Sequence, residues 1–323
     1  MSVKEIIAEI KQKMQAAGGL KHVYFVGCGG SKAAIYPGCY LLENEAKTFG
    51  ASTYTSNEFV HLTPKELDER CIAVVCSLKA TPETVEAVKV ANAAGAVTIA
   101  MTGNMQTGMA AVGQYVVVYS NGDDQVYSDS NGANSLRIGF EILHQFEDWK
   151  WYDEAMAAYG KIDELIASGK KNCLADAKAW GKAYQNDPVF YVLASGPSWG
   201  VAYSMGCCHF MEMQWKHAIV LHTGEYFHGP FETTDPDLAM VLIMSVGRTR
   251  PLDERCLTFL KKYAKRYKVL DAKDFGVESL GEHVAEYFNA VVMIPIERYY
   301  VAQMAEVRGH SMDDRRYMWK VEY

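Results

Sequence analysis

The sequence predicts an α/β protein in which two doubly wound parallel sheets follow one another along the chain. Short apolar runs rich in β-branched and aromatic residues alternate with helical patterns, as in parallel sheets that helices cover on both faces. This alternation occurs twice, and a charged helical stretch separates the two copies. We therefore expect two tandem α/β domains with connecting helices.

The predicted elements follow the same order in both halves. A charged amphipathic helix opens the chain, and each half then has apolar runs that are followed by polar loops or helical patterns. Because the runs are apolar throughout, they indicate strands that are buried on both faces. The predicted strands begin at Val23, Cys71, Ala96 and Gln114 in the first half and at Val189, Leu238, Tyr267 and Ala290 ("AVVMIPI") in the second.

Two segments show the repeat most clearly. "VYFVGCGGSKAAIYPGCYLLENE" and "VFYVLASGPSWGVAYSMGCCHFME" each join an apolar run, a turn of small residues and a helical pattern. The separation of Gly29 from Gly196 equals that of Glu45 from Glu212. We predict a first domain at residues 1–150, a helical connector at 151–180 and a second domain at 181–323.

Composition narrows the class of partner. The 323 residues have a formal net charge of −7, which argues against nucleic acid or an anionic membrane as the main partner. No apolar run reaches the roughly 18 residues that a membrane-spanning helix needs. The eight cysteines lack the spacing of metal ligands, so we expect no metal site and interpret them as reduced thiols of a cytoplasmic protein.

Two loops rich in glycine and hydroxyl groups form a candidate site for a sugar phosphate. "GCGGSK" follows the first predicted strand and opens a helix, whose free N–H groups favour an anion. "SLKATPET" follows the next strand, and ligands of such sheets bind beyond the carboxyl ends of the strands, so we place both loops and "SGPSWG" at one rim. The candidate ligands are Gly29, Gly30, Ser31, Ser77, Lys79, Thr81 and Thr84.

A purely structural interpretation of these loops stays open, because small residues also make tight turns between a strand and a helix. Neither the Walker A pattern nor G-x-G-x-x-G is present. In the second half, Pro197 lacks an N–H donor, so we favour the first half as the phosphate site.

The stretch "MEMQWKHAIVLHTGEYFHGPFE" (residues 211–232) places Glu212, His217, Glu225 and His228 among apolar residues. Such groups are scarce in protein interiors unless they are paired or catalytic. The string "GEYFHGPFE", the repeat and the hydroxyl-rich loops resemble the sugar isomerase (SIS) domain proteins. The resemblance extends to the isomerase half of glucosamine-6-phosphate synthase and is stronger to the fructosamine-6-phosphate deglycases, whose tail is similar to "DDRRYMWKVEY".

This resemblance implies two flavodoxin-like, three-layer α/β/α SIS domains and a small sugar phosphate as substrate. It implies that Glu212 transfers a proton, that His228 opens the sugar ring or acts as acid and base, and that Gly29, Ser31, Ser77 and Thr81 hold the phosphate. Since the His-Gly-Pro loop of the family often completes a site on the neighbouring subunit, it also implies a homodimer or higher homo-oligomer with the site near the interface.

Three further residues are candidates for supporting roles. Glu225 is expected first to orient His228 or to bond the loop backbone, with a catalytic role as the alternative. The tail either folds over the site, so that His310 or Arg316 contacts substrate, or forms a solvated cluster in which Arg315 and Arg316 neutralise the two preceding aspartates, Asp313 and Asp314.

The tail also departs from the synthase, whose Schiff-base lysine falls near Tyr317 here. A fructosamine 6-phosphate supplies its own amine, so an enzymatic Schiff base is unnecessary and no cofactor is expected. This favours a deglycase, which releases glucose 6-phosphate and an amino acid, over an aldose–ketose isomerase or a deaminating isomerase. A sugar-phosphate sensor is a third alternative, but it needs no catalytic pair.

The sequence leaves three questions open. It does not identify the conjugated amino acid. It does not say whether Glu212 and His228 act within one subunit or across two. It also does not distinguish Thr81 from Thr84 as the phosphate ligand.

Overall fold

The computed structural model describes residues 1–120, 122 and 124–322. Two compact units divide the chain, Met1–Asp163 and the residues from Glu164 onward. The division falls inside the segment predicted as a helical connector, which contains α7 (Tyr152–Tyr159) and most of α8 (Ile162–Tyr184).

The first unit opens with a helix whose sequence explains both its start and its buried face. In α1 (Val3–Ala16), Ser2 and Glu5 form a capping box, and the apolar residues at helical spacing are buried. The other helices of this unit pack on its sheet or on one another; they are α2 (Gly30–Glu45), α3 (Ser56–His61), α4 (Pro82–Ala93), α5 (Gly108–Val112) and α6 (Asn131–Glu147).

The sheet of the first unit is parallel, in the order β2-β1-β3-β4-β5. Its strands are β1 (His22–Val26), β2 (Gly50–Tyr54), β3 (Cys71–Ser77), β4 (Val97–Thr102) and β5 (Tyr115–Val118). β3 and β4 are buried along their whole length, which agrees with their continuous apolar sequences. The half-exposed edge strand β2 was not predicted, because "GASTY" has no apolar run.

The sheet of the second unit is also parallel, in the order β7-β6-β8-β9. Its strands are β6 (Val189–Ala194), β7 (His217–His222), β8 (Ala239–Met244) and β9 (Tyr267–Asp271). Helix α9 (Trp199–Tyr203) continues directly into a π-helix (Ser204–Met213), and α10 (Arg250–Tyr263) and α11 (Asn289–Arg308) follow β8 and β9. The two parallel sheets with helices confirm the predicted fold class.

Two predictions about this unit were wrong. "AVVMIPI" at residues 290–296 is not a strand but the buried first half of α11. A continuous apolar run fits a buried helix as well as a buried strand, and periodicity alone does not separate them. The loop "SGPSWG" follows β6, so it borders the second sheet and does not share a rim with "GCGGSK" and "SLKATPET", which border the first.

Candidate active site

The two predicted phosphate loops lie side by side in the first unit. They follow β1 and β3, which are neighbours in the sheet. The strand that comes next in the chain, β2, pairs with the other side of β1. Strand order reverses at this point, and in open α/β sheets the crevice at such a reversal is the usual ligand site.

The first loop brings main-chain donors to this crevice. A Cβ on Gly27 would lie 3.2 Å from the Cys76 carbonyl oxygen, so a small residue lets the loop run close to the end of β3. Gly29 has φ +54°, a conformation that favours glycine, and α2 begins at Gly30 without a side-chain cap. The N–H groups of Ser31, Lys32 and Ala33 donate to the Cys28 and Gly29 carbonyls, so within the described part of the chain the N–H groups of Gly29 and Gly30 are the ones placed to receive an anion.

The second loop arranges hydroxyl groups in two layers. Ser77 Oγ accepts a hydrogen bond from the Thr81 N–H at 3.3 Å, and Thr81 Oγ1 lies 2.9 Å from Thr84 Oγ1. Thr84 is buried and bonds Ser56 behind it, whereas Thr81 is half-buried at the start of α4. Thr84 therefore supports Thr81 from behind. Lys79, by contrast, is exposed on the outer part of the loop.

The equivalent crevice of the second unit is filled by the protein itself. The buried Asp253 carboxylate accepts hydrogen bonds from the hydroxyls of Ser195, Thr223 and Ser245 at 2.7, 2.9 and 3.0 Å. Burial raises the pKa of Asp253, and these donors act in the opposite direction. A carboxylate that already uses these hydroxyls leaves no phosphate cradle here, which is a stronger reason than Pro197 to favour the first unit.

Glu212 lies near the end of the π-helix and forms an ion pair with the tail. Its Oε1 is 2.8 Å from Nη2 of Arg315, whose guanidinium is buried. Nη1 of the same guanidinium donates to the carbonyls of Met312 and Asp314, and its plane lies over the Trp319 ring. Long π-helices are rare and occur often at functional sites, so this placement marks Glu212 as a candidate functional group.

The predicted tail residues contact Trp215 rather than Glu212. The His310 ring lies 4.4 Å from the Trp215 ring, and the Arg316 guanidinium lies over the same indole at 4.4 Å. The expectation that Arg315 neutralises the aspartates of a solvated cluster was wrong, because its carboxylate partner is Glu212. Sequence reasoning missed this pair, since nothing local connects the two positions.

The π-helix also contributes to a buried pair. His209 Nδ1, on the same π-helix, is 2.8 Å from the Glu297 carboxylate of α11. Burial raises the pKa of Glu297, and the neighbouring imidazole opposes that shift. The pair fastens the π-helix to α11, and it too was absent from the sequence-based candidates.

The loop with His228 is held by aromatic packing and presents its polar groups to solvent. Tyr226 is fully buried, and Phe227 and Phe231 pack against Phe259. The side chains of Glu225 and His228 are exposed and make no hydrogen bond, ion pair or ring contact with the part of the chain that is described. Within one chain, then, Glu225 neither orients His228 nor bonds the loop backbone.

Glu212 and His228 belong to opposite faces of the second sheet. Neighbouring residues of a strand point to opposite faces. Phe190 stacks on Phe210 of the π-helix at 4.3 Å, whereas Leu193 packs in the cluster that contains Tyr226 of the His228 loop. The π-helix that carries Glu212 and the loop that carries His228 therefore pack on opposite faces of the second sheet.

Among the residues that the structure describes, no three His, Cys, Asp or Glu side chains are grouped as metal ligands. No described helix is both long and apolar enough to cross a bilayer. All eight cysteines are free thiols.

Comparisons with known proteins show which family this chain resembles. The chain is 38% identical to fructosamine deglycase FrlB of Bacillus subtilis over 94% of its own length and 93% of the relative's. It is 22% identical to fructoselysine 6-phosphate deglycase of Escherichia coli over 92% of its own length and 85% of the relative's. No protein-family model matches it.

Solved structures of phosphosugar enzymes are also similar to this chain. A crystal structure described as a phosphosugar isomerase, from Salmonella typhimurium, is 36% identical and superposes with a TM-score of 0.95, covering 99% of this chain and 98% of the other. These comparisons confirm the predicted resemblance. The chain belongs to the fructosamine deglycase family of SIS-domain phosphosugar enzymes.

Proposed function

We propose that this protein is a fructosamine-6-phosphate deglycase that hydrolyses an N-(6-phosphofructosyl) amino acid to glucose 6-phosphate and the free amino acid. The observation that supports this most directly is the 38% identity, along nearly the whole chain, to a protein named fructosamine deglycase. The crevice between the two hydroxyl-rich loops and the Glu212–Arg315 pair are the features that such a reaction uses.

The phosphate binds in the first unit, on the N–H groups at the start of α2 and on the Ser77 and Thr81 hydroxyls. Gly29, Gly30 and Ser31 form one side of this cradle. Thr84 is buried behind Thr81, so Thr81 is the direct ligand and Thr84 fixes its rotamer. The exposed Lys79 adds positive charge at the rim.

The reaction consists of two proton transfers and a hydrolysis. Glu212 takes a proton from C1 of the open-chain fructosamine, which gives an enaminol with a C1–C2 double bond. Returning a proton to C2 gives an imine between C1 and the amino-acid nitrogen, and water adds at C1 and releases the amine. A positioned acid–base group typically contributes roughly 10²–10⁴-fold to such steps.

The Arg315 guanidinium suits this role of Glu212. It lies on one carboxylate oxygen and leaves the other available, and it fixes the carboxylate in one orientation. Arg315 is thus a positioning residue. His310 and Arg316 belong to the same tail and hold it through Trp215.

His228 opens the sugar ring in the active site of a neighbouring subunit. Its loop packs on the face of the sheet opposite to the π-helix that carries Glu212 of the same chain, and it presents His228 and Glu225 outward, where a second copy of the chain can receive them. This requires at least a homodimer, with the site near the subunit interface. Eight free thiols fit a reducing compartment, so we place the protein in the cytoplasm.

The test is an assay of amine release from a panel of fructosamine 6-phosphates that carry lysine, asparagine and aspartate. We expect equal amounts of glucose 6-phosphate and free amino acid from at least one member. Glucosamine 6-phosphate and fructose 6-phosphate are the controls, since turnover of these compounds instead would indicate a deaminating or an aldose–ketose isomerase. Binding of sugar phosphate without any turnover would identify a sensor and refute the proposal.

A further inference from the structure

A pocket of about 510 Å³ lies at the amino-terminal edge of the second sheet. Pro188 precedes β6, and Trp215 and Lys216 precede β7, so these lining residues mark the edge at which the strands begin. Ligands of open α/β sheets bind at the opposite edge. The pocket is therefore distinct from the crevice at the carboxyl ends of the strands of the second sheet.

Two cations line this pocket without a carboxylate partner. Lys216 is only 7% exposed, and its ammonium donates to the carbonyls of Gln185 and Asp187 at 2.7 and 2.6 Å. Arg308 donates from Nη1 to the main-chain and side-chain oxygens of Gln214. Neither cation forms an ion pair with any carboxylate in the described residues, and the Asp187 carboxylate is paired with Arg266.

Burying the charges of Lys216 and Arg308 side by side costs free energy unless an anion binds between them. Burial and the nearby Arg308 lower the pKa of Lys216 to about 8, because both disfavour the charged form, while the charge of Asp187 opposes this shift. Buried charges in proteins are normally paired. A small anion in the pocket supplies the missing negative charge.

The free edge of Arg308 indicates which anion fits. Both N–H groups of Nη1 are directed to Gln214, while Nε and Nη2 have no acceptor in the described part of the chain. Nε and Nη2 form the side of the guanidinium that binds carboxylates and phosphates in a bidentate manner.

The pocket wall also shows backbone strain. Trp215 has φ +52°, a conformation that bulky residues rarely adopt, and its indole is 41% exposed beside the pocket. Strain of this kind is concentrated at ligand sites. It fixes an aromatic ring next to the two cations.

We propose that this pocket is a binding site for a small oxyanion, a carboxylate or a phosphate, held by Arg308 and Lys216. The bound anion also steadies the base of the tail. Arg308 positions Gln214, which donates to the His310 carbonyl at 3.1 Å, and the Trp215 indole contacts His310 and Arg316. The effect on catalysis, though not the binding itself, rests on the proposed function.

Calorimetric titration of the intact protein tests the binding, with acetate and inorganic phosphate as probes and chloride at matched ionic strength as the control anion. Phosphate titrations are repeated on the Ser77→Ala/Thr81→Ala variant, which removes two hydroxyls of the phosphate loops and leaves the pocket unchanged. We expect one site per chain for at least one oxyanion and none for chloride. Acetate binding alone would identify a carboxylate ligand, and phosphate binding alone a phosphate ester.

Two variants connect that site to the pocket. His217→Glu puts a carboxylate on an exposed residue that lines the pocket. Arg308→Lys keeps the positive charge but removes the planar guanidinium that binds an oxyanion through two N–H groups. Each substitution is expected to weaken oxyanion binding by roughly tenfold or more. Asn172→Glu, an exposed position of α8 with the same change of charge as His217→Glu, is the matched control and should leave affinity unchanged. Absent binding, or binding that neither pocket variant weakens, overturns the proposal whether or not the protein is a deglycase.

Discussion

The orientation of the Glu212 carboxylate depends on a residue from the far end of the sequence. Arg315 reaches Glu212 at 2.8 Å because the tail folds back on Trp215 and Gln214. Pairs of this kind form only when the chain has folded, so local pattern cannot predict them. The string "GEYFHGPFE" and the tail resemblance identified Glu212, His228 and the tail as candidates, but not which arginine pairs with the glutamate.

Arg315→Ala is expected to lower kcat by roughly 10- to 100-fold, because a carboxylate that loses its orienting partner is misplaced relative to C1. Arg315→Lys should recover part of the loss, since it keeps the charge but not the planar fork. Steady-state kinetics on the best fructosamine 6-phosphate measures this. The neighbouring Arg316→Ala is the control and should cost no more than about fivefold, the effect of an exposed cation–π contact. A larger loss in Arg316→Ala than in Arg315→Ala would instead place Arg316 against substrate.

The elements that sequence predicted best are the buried central strands, and the elements it missed lie at the edges. β1, β3, β4, β6 and β8 are nearly continuous apolar runs, which only a doubly covered sheet explains. β2 and β7 are edge strands: β2 ("GASTY") has no apolar run, and β7 ("HAIVLH") has an apolar run of only four residues between two histidines. The helical pattern after "SGPSWG" was predicted, but the π geometry of Ser204–Met213 was not, because helical patterns are recognised on a period of 3.6 residues.

The π-helix packs closely on β7 at Gly206, where an added Cβ would lie 2.4 Å from a methyl group of Val220. Gly206→Ala should therefore destabilise the protein by about 1–3 kcal/mol through overpacking, and it should lower kcat by moving Glu212. Urea unfolding and activity measure both effects. Gly160→Ala is the matched control: its nearest contact is 3.6 Å away and its φ of −66° suits alanine, so stability should hold or rise by about 0.4–1 kcal/mol.

A second substitution tests the cause of this loss. If the Val220 methyl group is what opposes the new Cβ, Gly206→Ala combined with Val220→Ala should be more stable than the sum of the two single losses predicts. Additive losses would mean that the π-helix is disturbed by something other than this contact.

For the whole molecule, the two units differ in what their equivalent crevices do. Both sheets reverse strand order at a pair of loops, yet the first unit leaves its hydroxyls at the crevice while the second binds its own Asp253 there. The sequence repeat predicted the duplicated architecture but not this division of roles, because Asp253 lies outside the loops that the repeat brings into register. Candidate catalysts on opposite faces of the second sheet then make a single chain insufficient for the proposed chemistry.

Mixing two inactive variants tests whether a complete site needs two chains. We expect Glu212→Gln and His228→Asn each to be inactive alone. After subunit exchange, half of the dimers combine the two variants, and each of these has one site with an intact Glu212 and an intact His228, so activity should return to about one quarter of the parent value. The control is a mixture of parent chain with a chain that carries both substitutions. Each site of such a mixed dimer lacks either Glu212 or His228, so activity should fall. Activity that stays at background after verified exchange would mean that both residues act from the same chain, although the elements that carry them pack on opposite faces of the sheet.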